Sequence, residues 1–172
     1  MKIENAAFKA NNEGSVVKPY VMSHGTLEVR NLQKSRRFYE QFLGLECVRH
    51  VKPGMVVRCG MKLHIVCIEV GNAIRPSSFL THWGLDLESR EAVDDAYTNA
   101  QKLKDEYGIR RITPCVLQHG VYSFYIEDLD HNWWEFQYYD GFQHDDMYDF
   151  GDVVPADEPA GTAHLSQLDL DK

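Results

Sequence analysis

Residues 119–139, HGVYSFYIEDLDHNWWEFQYY, form the stretch that decides the fold. Residues 122–126 are rich in aromatic and β-branched side chains, 128–132 have the Asp and Asn content of a turn, and 133–139 form a second aromatic run. This pattern predicts a β-hairpin. Glu135 is the one carboxylate inside the second strand. A carboxylate among aromatic residues is costly to bury unless a positive group meets it, so a cationic partner is expected elsewhere in the chain.

The composition is that of a globular protein with an acidic surface. The chain has 172 residues, 44% hydrophobic and 12% aromatic, which is enough for one domain or two fused small modules. Its net charge of −8 argues against nucleic acid or an anionic membrane as a partner, since both require clustered Lys and Arg. The N-terminal stretch has no signal-peptide core and no run reaches membrane-spanning length, so a cytoplasmic location is expected. The four cysteines form no Cys-x-x-Cys pair, which predicts free, buried thiols.

The chain contains an internal repeat, which is visible without any relative. SHGTLEV at 23–29 and THWGLDL at 81–87 both read hydroxyl, histidine, two variable residues, leucine, acid and aliphatic residue. His24 and His82 therefore occupy equivalent positions in the two halves.

Each half of the repeat reads as one strand, one helix and three further strands. The helices are predicted over 33–45 and 90–108, where apolar residues recur at helical spacing. The strands are predicted over 20–31, 46–51, 55–59 and 62–70 in the first half and over 79–89, 109–116, 121–126 and 133–139 in the second. The fold class is thus α+β, with two tandem βαβββ modules that form a curled mixed sheet. The expected segments are an N-terminal arm, a first module, a linker, a second module and an acidic C-terminal extension, at 1–19, 20–70, 71–78, 79–140 and 141–172.

Side-chain parity points to a metal site on the faces away from the helices. In the first strand of each half the aliphatic residues face the helix, which leaves His24 and His82 on the opposite faces. In the last strand Trp134 and Phe136 form the apolar side, which leaves Glu135 opposite. If the sheet curls, the two imidazoles and the carboxylate converge. Two His and one carboxylate leave open positions on a divalent metal for substrate and O₂.

The doubled pattern, with a His on the first strand of each half and a Glu on the last strand, resembles the vicinal oxygen chelate superfamily. This superfamily includes glyoxalase I, methylmalonyl-CoA epimerase, fosfomycin-resistance proteins and type I extradiol dioxygenases. The resemblance covers residues 20–139. Ser123-Phe124-Tyr125, followed by Asp128 and Glu135, is most similar to the extradiol dioxygenase pattern. The chain departs from that pattern at Leu129, where the pattern has Pro.

The resemblance implies a ring-cleaving dioxygenase that acts on a catechol-like aromatic with Fe(II), or Mn(II), and O₂. By the same resemblance His24, His82 and Glu135 bind the metal. Tyr125 hydrogen-bonds a substrate oxygen, and His119 is the acid/base of the reaction, although it lies one residue closer to Tyr125 than the pattern has. Pairing as a homodimer is also implied.

Two alternatives remain open. One is a metal-dependent isomerase, lyase or thiol transferase of the glyoxalase, epimerase or fosfomycin-resistance kind, which uses a fourth ligand from the strand at 62–70. Glu69 and His64 are the candidates, and parity places them on opposite faces of that strand. Four ligands suit isomerase chemistry, whereas three leave room for O₂. The other alternative is a binding module of the bleomycin-sequestering kind, which needs no catalytic metal.

Overall fold

A computed structural model describes residues 14–19, 21–60, 63–118 and 120–139. The strands are β1 (His24–Val29), β2 (Glu46–Val51), β3 (Gly54–Arg58), β4 (His64–Glu69), β5 (His82–Asp86), β6 (Arg111–Ile112), β7 (Val116–Gln118), β8 (Val121–Glu127) and β9 (Trp133–Tyr139). The helices are α1 (Leu32–Gln41), α2 (Arg90–Lys102) and α3 (Lys104–Tyr107), with a 3-10 turn at Gly71–Ala73. The predicted α+β class is confirmed, and the described strands form two mixed sheets, neither of which closes on itself.

The first compact unit, Met1–Pro76, contains a four-stranded sheet in the order β1-β4-β3-β2. β1 runs parallel to β4, and the other neighbours are antiparallel. Helix α1 begins after Asn31, whose side chain accepts the N–H of Lys34 at 3.0 Å, as an N-cap residue does. Val29 and Phe38 are buried almost completely, so the core of this unit lies between α1 and one face of the sheet.

The second compact unit, Ser77–Lys172, contains a five-stranded sheet in the order β5-β9-β8-β6, with β7 also paired to β8. β5 runs parallel to β9, whereas β8 is antiparallel to β6, β7 and β9. Tyr97 of α2 contacts Phe124 edge to face, and Phe124 stacks on Phe136. Helix α2 therefore covers the face of the sheet that carries Phe124 and Phe136.

Asp128 holds the turn between β8 and β9. Its Oδ1 accepts the N–H of Asp130 at 2.8 Å and that of Asn132 at 2.9 Å, and its Oδ2 accepts the indole N–H of Trp134 at 3.0 Å. This is the way an Asp side chain stabilises a turn by bonding its own backbone a few residues on. The hairpin predicted from the sequence is confirmed, and the turn fixes the register of its two strands.

Two elements of the second unit are shorter than the sequence predicts. The helix predicted over 90–108 is interrupted at Leu103 and ends at Gly108, which has a positive φ of 69°. The strand predicted over 109–116 divides into β6 and β7. Pro114 lies in the gap, and since proline has no backbone N–H it cannot continue the ladder with β8.

The predictions for the cysteines, for membrane-spanning segments and for the two ends of the chain have different outcomes. All four cysteines are free as predicted, but only Cys47 and Cys67 are buried, whereas Cys115 is half-buried and Cys59 is exposed. Among the described residues, no helix is long and apolar enough to cross a membrane. Most of the arm over 1–19 and the whole extension over 141–172 lie outside the described residues, and the segment boundaries stay predictions.

Candidate metal centre

In the second sheet, one face lies away from α2 and carries three of the candidate residues. The register places His82 opposite Trp133, Gly84 opposite Glu135, and Glu135 opposite Tyr125. Side chains directly opposite one another share a face, and so do alternate residues of one strand. His82, Glu135 and Tyr125 therefore lie together on the face that parity predicted for the first two.

His82 and Glu135 meet side chain to side chain. The imidazole Nε2 lies 3.3 Å from Glu135 Oε2, and the two side chains are 29% and 11% exposed. The hydrogen bond to Glu135 raises the pKa of His82, against the effect of burial. For Glu135, burial raises the pKa, but the hydrogen bonds from His82 and Tyr125 outweigh it and lower the pKa below its ordinary value. Glu135 is thus an ionised carboxylate in a buried setting.

The contact of the other ring nitrogen, Nδ1, determines which nitrogen of His82 carries the proton in the neutral ring. Nδ1 lies 3.0 Å from the backbone oxygen of Phe79, and a carbonyl oxygen can only accept, so Nδ1 must donate. In the neutral imidazole, Nε2 then directs a lone pair at a carboxylate oxygen. Two acceptors at this distance need a proton or a metal cation between them. The pair is therefore built to bind a positive species.

Tyr125 lies next to the His82–Glu135 pair and belongs to a group of aromatic side chains beside it. Its ring centroid is 5.1 Å from that of His82, and its hydroxyl is close enough to Glu135 to interact with the carboxylate. Burial, followed by the interaction with Glu135, raises the pKa of Tyr125 far above its ordinary value, so the phenol keeps its proton. Phe79 packs edge to face on Tyr125 and on Trp133, with centroids 4.6 and 5.1 Å apart. These three rings form a buried cluster beside the carboxylate.

Gly84 leaves space next to Glu135. It is exposed and lies opposite Glu135 in the register. A Cβ at this position would meet the amide nitrogen of Gln137 at 3.4 Å, an ordinary contact. That amide donates to Asp86 at 2.7 Å, so polar side chains continue along this face beyond the carboxylate.

In the first unit, His24 stacks on His64. The two residues are register partners in β1 and β4, with ring centroids 5.6 Å apart and planes 17° apart. His24 is exposed on the face away from α1, and its Nδ1 lies 2.8 Å from the hydroxyl oxygen of Ser23. A groove of about 310 Å³ on this unit is lined by Glu46, Val48, Val56, Val57, Arg58 and His64.

Glu69, one of the two candidates for a fourth ligand, contacts a helix end instead. Its Oε2 accepts the N–H of Leu32, the first residue of α1, at 2.7 Å. A carboxylate at a helix N-terminus satisfies a free N–H group and interacts favourably with the helix dipole. His64 alone of the two therefore shares the face of His24.

The structure thus brings together His82, Glu135 and Tyr125 in the second unit, and His24 with His64 in the first. In each unit taken alone, the described part of the chain contains no group of three or more His, Cys, Asp or Glu able to hold a metal ion. The ligand set of His24, His82 and Glu135 stays a prediction. His119 lies outside the described residues, so its catalytic role also stays a prediction.

Two contributors to this face were missed by reasoning from the sequence. The stretch from Phe79 was expected to be strand, but Thr81 N–H bonds to Ser78 O at 2.8 Å, and the resulting turn puts the Phe79 carbonyl beside the His82 ring. Ser123 has a fully buried hydroxyl oxygen. The motif Ser123-Phe124-Tyr125 contains it, and its alternation with Tyr125 along β8 was the signal for the face on which it lies.

Comparison with known proteins extends these observations. The family model described as "Glyoxalase/Bleomycin resistance protein/Dioxygenase superfamily" matches residues 21–136. No curated protein matches the chain. Among solved structures, a fosfomycin resistance protein from Listeria monocytogenes has a TM-score of 0.55 and 22% identity, covering 70% of this chain and 94% of its own. A lactoylglutathione lyase from Agrobacterium tumefaciens has a TM-score of 0.53 and 20% identity, with the same coverage of 70% and 94%. A possible glyoxalase from Bacillus cereus has a TM-score of 0.53 and 26% identity, covering 69% and 98%.

Proposed function

This chain belongs to the glyoxalase/bleomycin resistance protein/dioxygenase superfamily, and from that premise we propose that it is an Fe(II)-dependent dioxygenase that cleaves the ring of a catechol-like aromatic. Mn(II) is the other metal that suits this proposal. The observation that supports it most is the His82–Glu135 pair, in which the imidazole Nε2 and a carboxylate oxygen lie 3.3 Å apart. We expect the enzyme to act as a cytoplasmic homodimer on a small molecule.

The donors of this pair fit a divalent cation. A nitrogen and an oxygen that would each lie about 2.1 Å from a shared ion can be no more than about 4.2 Å apart, and the 3.3 Å between Nε2 and Oε2 meets this limit. A metal-binding His usually donates its other ring N–H to a carbonyl or carboxylate, as His82 does to Phe79. Imidazole and carboxylate together suit iron, manganese and related ions.

We assign His24 as the third ligand. It is the repeat equivalent of His82, it lies on the face away from the helix of its own unit, and it is exposed. The two units support this equivalence in their pairing, because β1 runs parallel to β4 as β5 runs parallel to β9. Together with Glu135 the two histidines make the 2-His-1-carboxylate set of non-haem iron oxygenases.

When bound, Fe(II) would supply the redox chemistry for cleavage of a diol ring by O₂. His82 and Glu135 orient the site, since the bond from His82 to the Phe79 carbonyl holds the imidazole in one tautomer. Tyr125 keeps its proton and donates it in a hydrogen bond to a substrate oxygen. The cluster of Phe79, Tyr125 and Trp133 excludes water from this side. His119 is the proposed acid/base.

A second function is favoured by the position of His64. Because His64 stacks on His24, it is the fourth ligand we propose for this alternative, and four protein ligands suit a lyase, isomerase or thiol transferase. Two of the similar solved structures are named as a lactoylglutathione lyase and a fosfomycin resistance protein. Under this alternative the enzyme binds metal but consumes no oxygen.

Metal binding and oxygen uptake test the proposal together. Protein prepared without oxygen is reconstituted with Fe(II), Mn(II), Co(II), Ni(II) or Zn(II), and bound metal and oxygen uptake with catechols are measured. We expect one metal per chain, uptake with Fe(II) or Mn(II), and loss of both in His82→Ala. His50→Ala, in which an exposed His of β2 is removed, is the matched control. Stoichiometric metal in His82→Ala would exclude the assigned site, and metal binding without uptake would favour the lyase or isomerase.

A further inference from the structure

Ser123 has a buried hydroxyl group without a regular partner. The residue is fully buried in the middle of β8. Its Oγ makes no hydrogen bond of normal geometry with any residue that the structure describes. A buried hydroxyl without a partner costs free energy that an alanine would not cost, so its presence calls for a function.

The position of Ser123 points to that function. It lies opposite Gln137 in β9, two residues before Tyr125, and therefore on the face that carries Glu135. Its hydroxyl is close enough to Tyr125 and Glu135 to lower the pKa of both groups, although neither contact is a well-formed hydrogen bond. The side-chain nitrogen of Gln137 donates to Asp86. The Ser123 hydroxyl is thus a donor next to the Glu135 carboxylate, and the hydrogen bonds of that carboxylate change when the carboxylate binds a cation.

We propose that Ser123 is a positioning residue whose hydroxyl donates a hydrogen bond to the Glu135 carboxylate when a divalent cation binds to that carboxylate. This role rests on the proposed function, since it requires Glu135 to be a metal ligand. Without metal, Glu135 is oriented by its contacts with His82 and Tyr125. With metal, Nε2 of His82 directs its lone pair at the ion and donates nothing to the carboxylate. A further donor then keeps the carboxylate in one orientation, and removing such partners typically weakens metal affinity about 10- to 100-fold.

The test measures metal affinity and metal-free stability in the same variants of the full chain. Co(II) alone is the probe, with Kd taken from calorimetry and the thermal midpoint taken from the metal-free protein. We expect Ser123→Ala to bind Co(II) at least about tenfold more weakly without a lower midpoint, because an orphan hydroxyl contributes no stability. Ser123→Thr, which keeps the hydroxyl, retains the wild-type affinity.

Ser35→Ala is the matched control. Ser35 is equally buried, but its hydroxyl donates to the Asn31 carbonyl at 2.9 Å in the first turn of α1. We expect this variant to lower the thermal midpoint and to leave the Kd for Co(II) unchanged.

Other outcomes separate the role of Ser123 from the proposed function. Three results would each overturn the role of Ser123. The first is a wild-type Kd for Co(II) in Ser123→Ala, and the second is a lower thermal midpoint in Ser123→Ala together with weaker Co(II) binding. The third is a loss of Co(II) affinity in Ser123→Thr equal to that in Ser123→Ala. If His82→Ala loses Co(II) in the same series, the metal site stands in all three cases. If His82→Ala binds Co(II) as the wild type does, the metal site itself fails, and the role of Ser123 fails with it.

Discussion

His82 and Glu135 approach each other diagonally across the parallel strands β5 and β9, with 3.3 Å between Nε2 and Oε2. In the register of these strands Gly84 lies opposite Glu135. Since glycine has no side chain, the imidazole of His82, two residues earlier in β5, reaches the Glu135 carboxylate with no side chain at position 84 between them.

Tyr125→Phe removes the hydroxyl that lies next to Glu135 and leaves the ring packing unchanged. We expect the rate constant of the catalysed reaction to fall about 100-fold, as on loss of one positioned donor, while metal content is retained. Tyr122→Phe is the matched control, because the Tyr122 hydroxyl bonds Asp94 at 2.6 Å on the opposite face of the sheet. Steady-state kinetics on both variants measure the effect. Equal rates in the two variants would show that Tyr125 has no role in the reaction.

Gly84→Val fills the space beside Glu135. Valine suits a strand better than glycine, so we expect unfolding to cost no less free energy than in the wild type. We also expect weaker binding of substrate, since the added methyl groups project from the face that carries the carboxylate. Gly84→Ala adds only the Cβ that meets Gln137 at 3.4 Å, and it should bind normally. Denaturant unfolding and substrate titration measure the two effects, and unchanged binding in Gly84→Val would place the substrate elsewhere.

Glu69→Ala and His64→Ala separate a structural role from a metal-binding role on the same strand. Loss of Glu69 leaves the Leu32 N–H without its carboxylate, and we expect a loss of about 1 kcal/mol in the free energy of unfolding with unchanged metal affinity. Loss of His64 should leave stability nearly unchanged. Metal titration of His64→Ala then distinguishes the two proposed enzymes, because weaker binding indicates a fourth ligand. Weaker metal binding in Glu69→Ala would contradict its assignment to the helix end.

Asp128 makes stability depend on pH in a defined direction. Burial, against the hydrogen bond from Trp134, raises the pKa of Asp128 to about 7, above its unfolded value. The folded state therefore binds the proton more tightly than the unfolded chain, and this contribution is complete at low pH and lost as pH rises through 7. We expect the free energy of unfolding of the wild type to fall relative to Asp128→Asn between about pH 4 and 7, by the order of 4 kcal/mol.

Urea unfolding of both proteins across this range measures the difference, and the other carboxylates cancel in the comparison. A wild type that gains stability relative to Asp128→Asn as pH rises would show that the three hydrogen bonds to the Asp128 carboxylate outweigh its burial.

Much of the fold was predictable because the repeat and the hydrophobic periods are local. Strand alternation assigned His82 and Glu135 to one face, since a period of two leaves no other choice once Trp134 and Phe136 face the helix. The break at Pro114 could have been predicted for the same local reason. What local patterns could not supply was the pairing of one distant strand with another.

The amino-acid sequence by itself determined the α+β class, the hairpin at 119–139 and the faces on which His24, His82 and Glu135 lie, because these depend on periodicity within single elements. The tertiary structure alone decided that Nδ1 of His82 bonds the Phe79 carbonyl and that Glu69 binds the N-terminus of α1. Those contacts depend on the path of the backbone through a turn and on strand register. Neither the backbone path nor the strand register produces a periodic pattern in the residues that make these contacts.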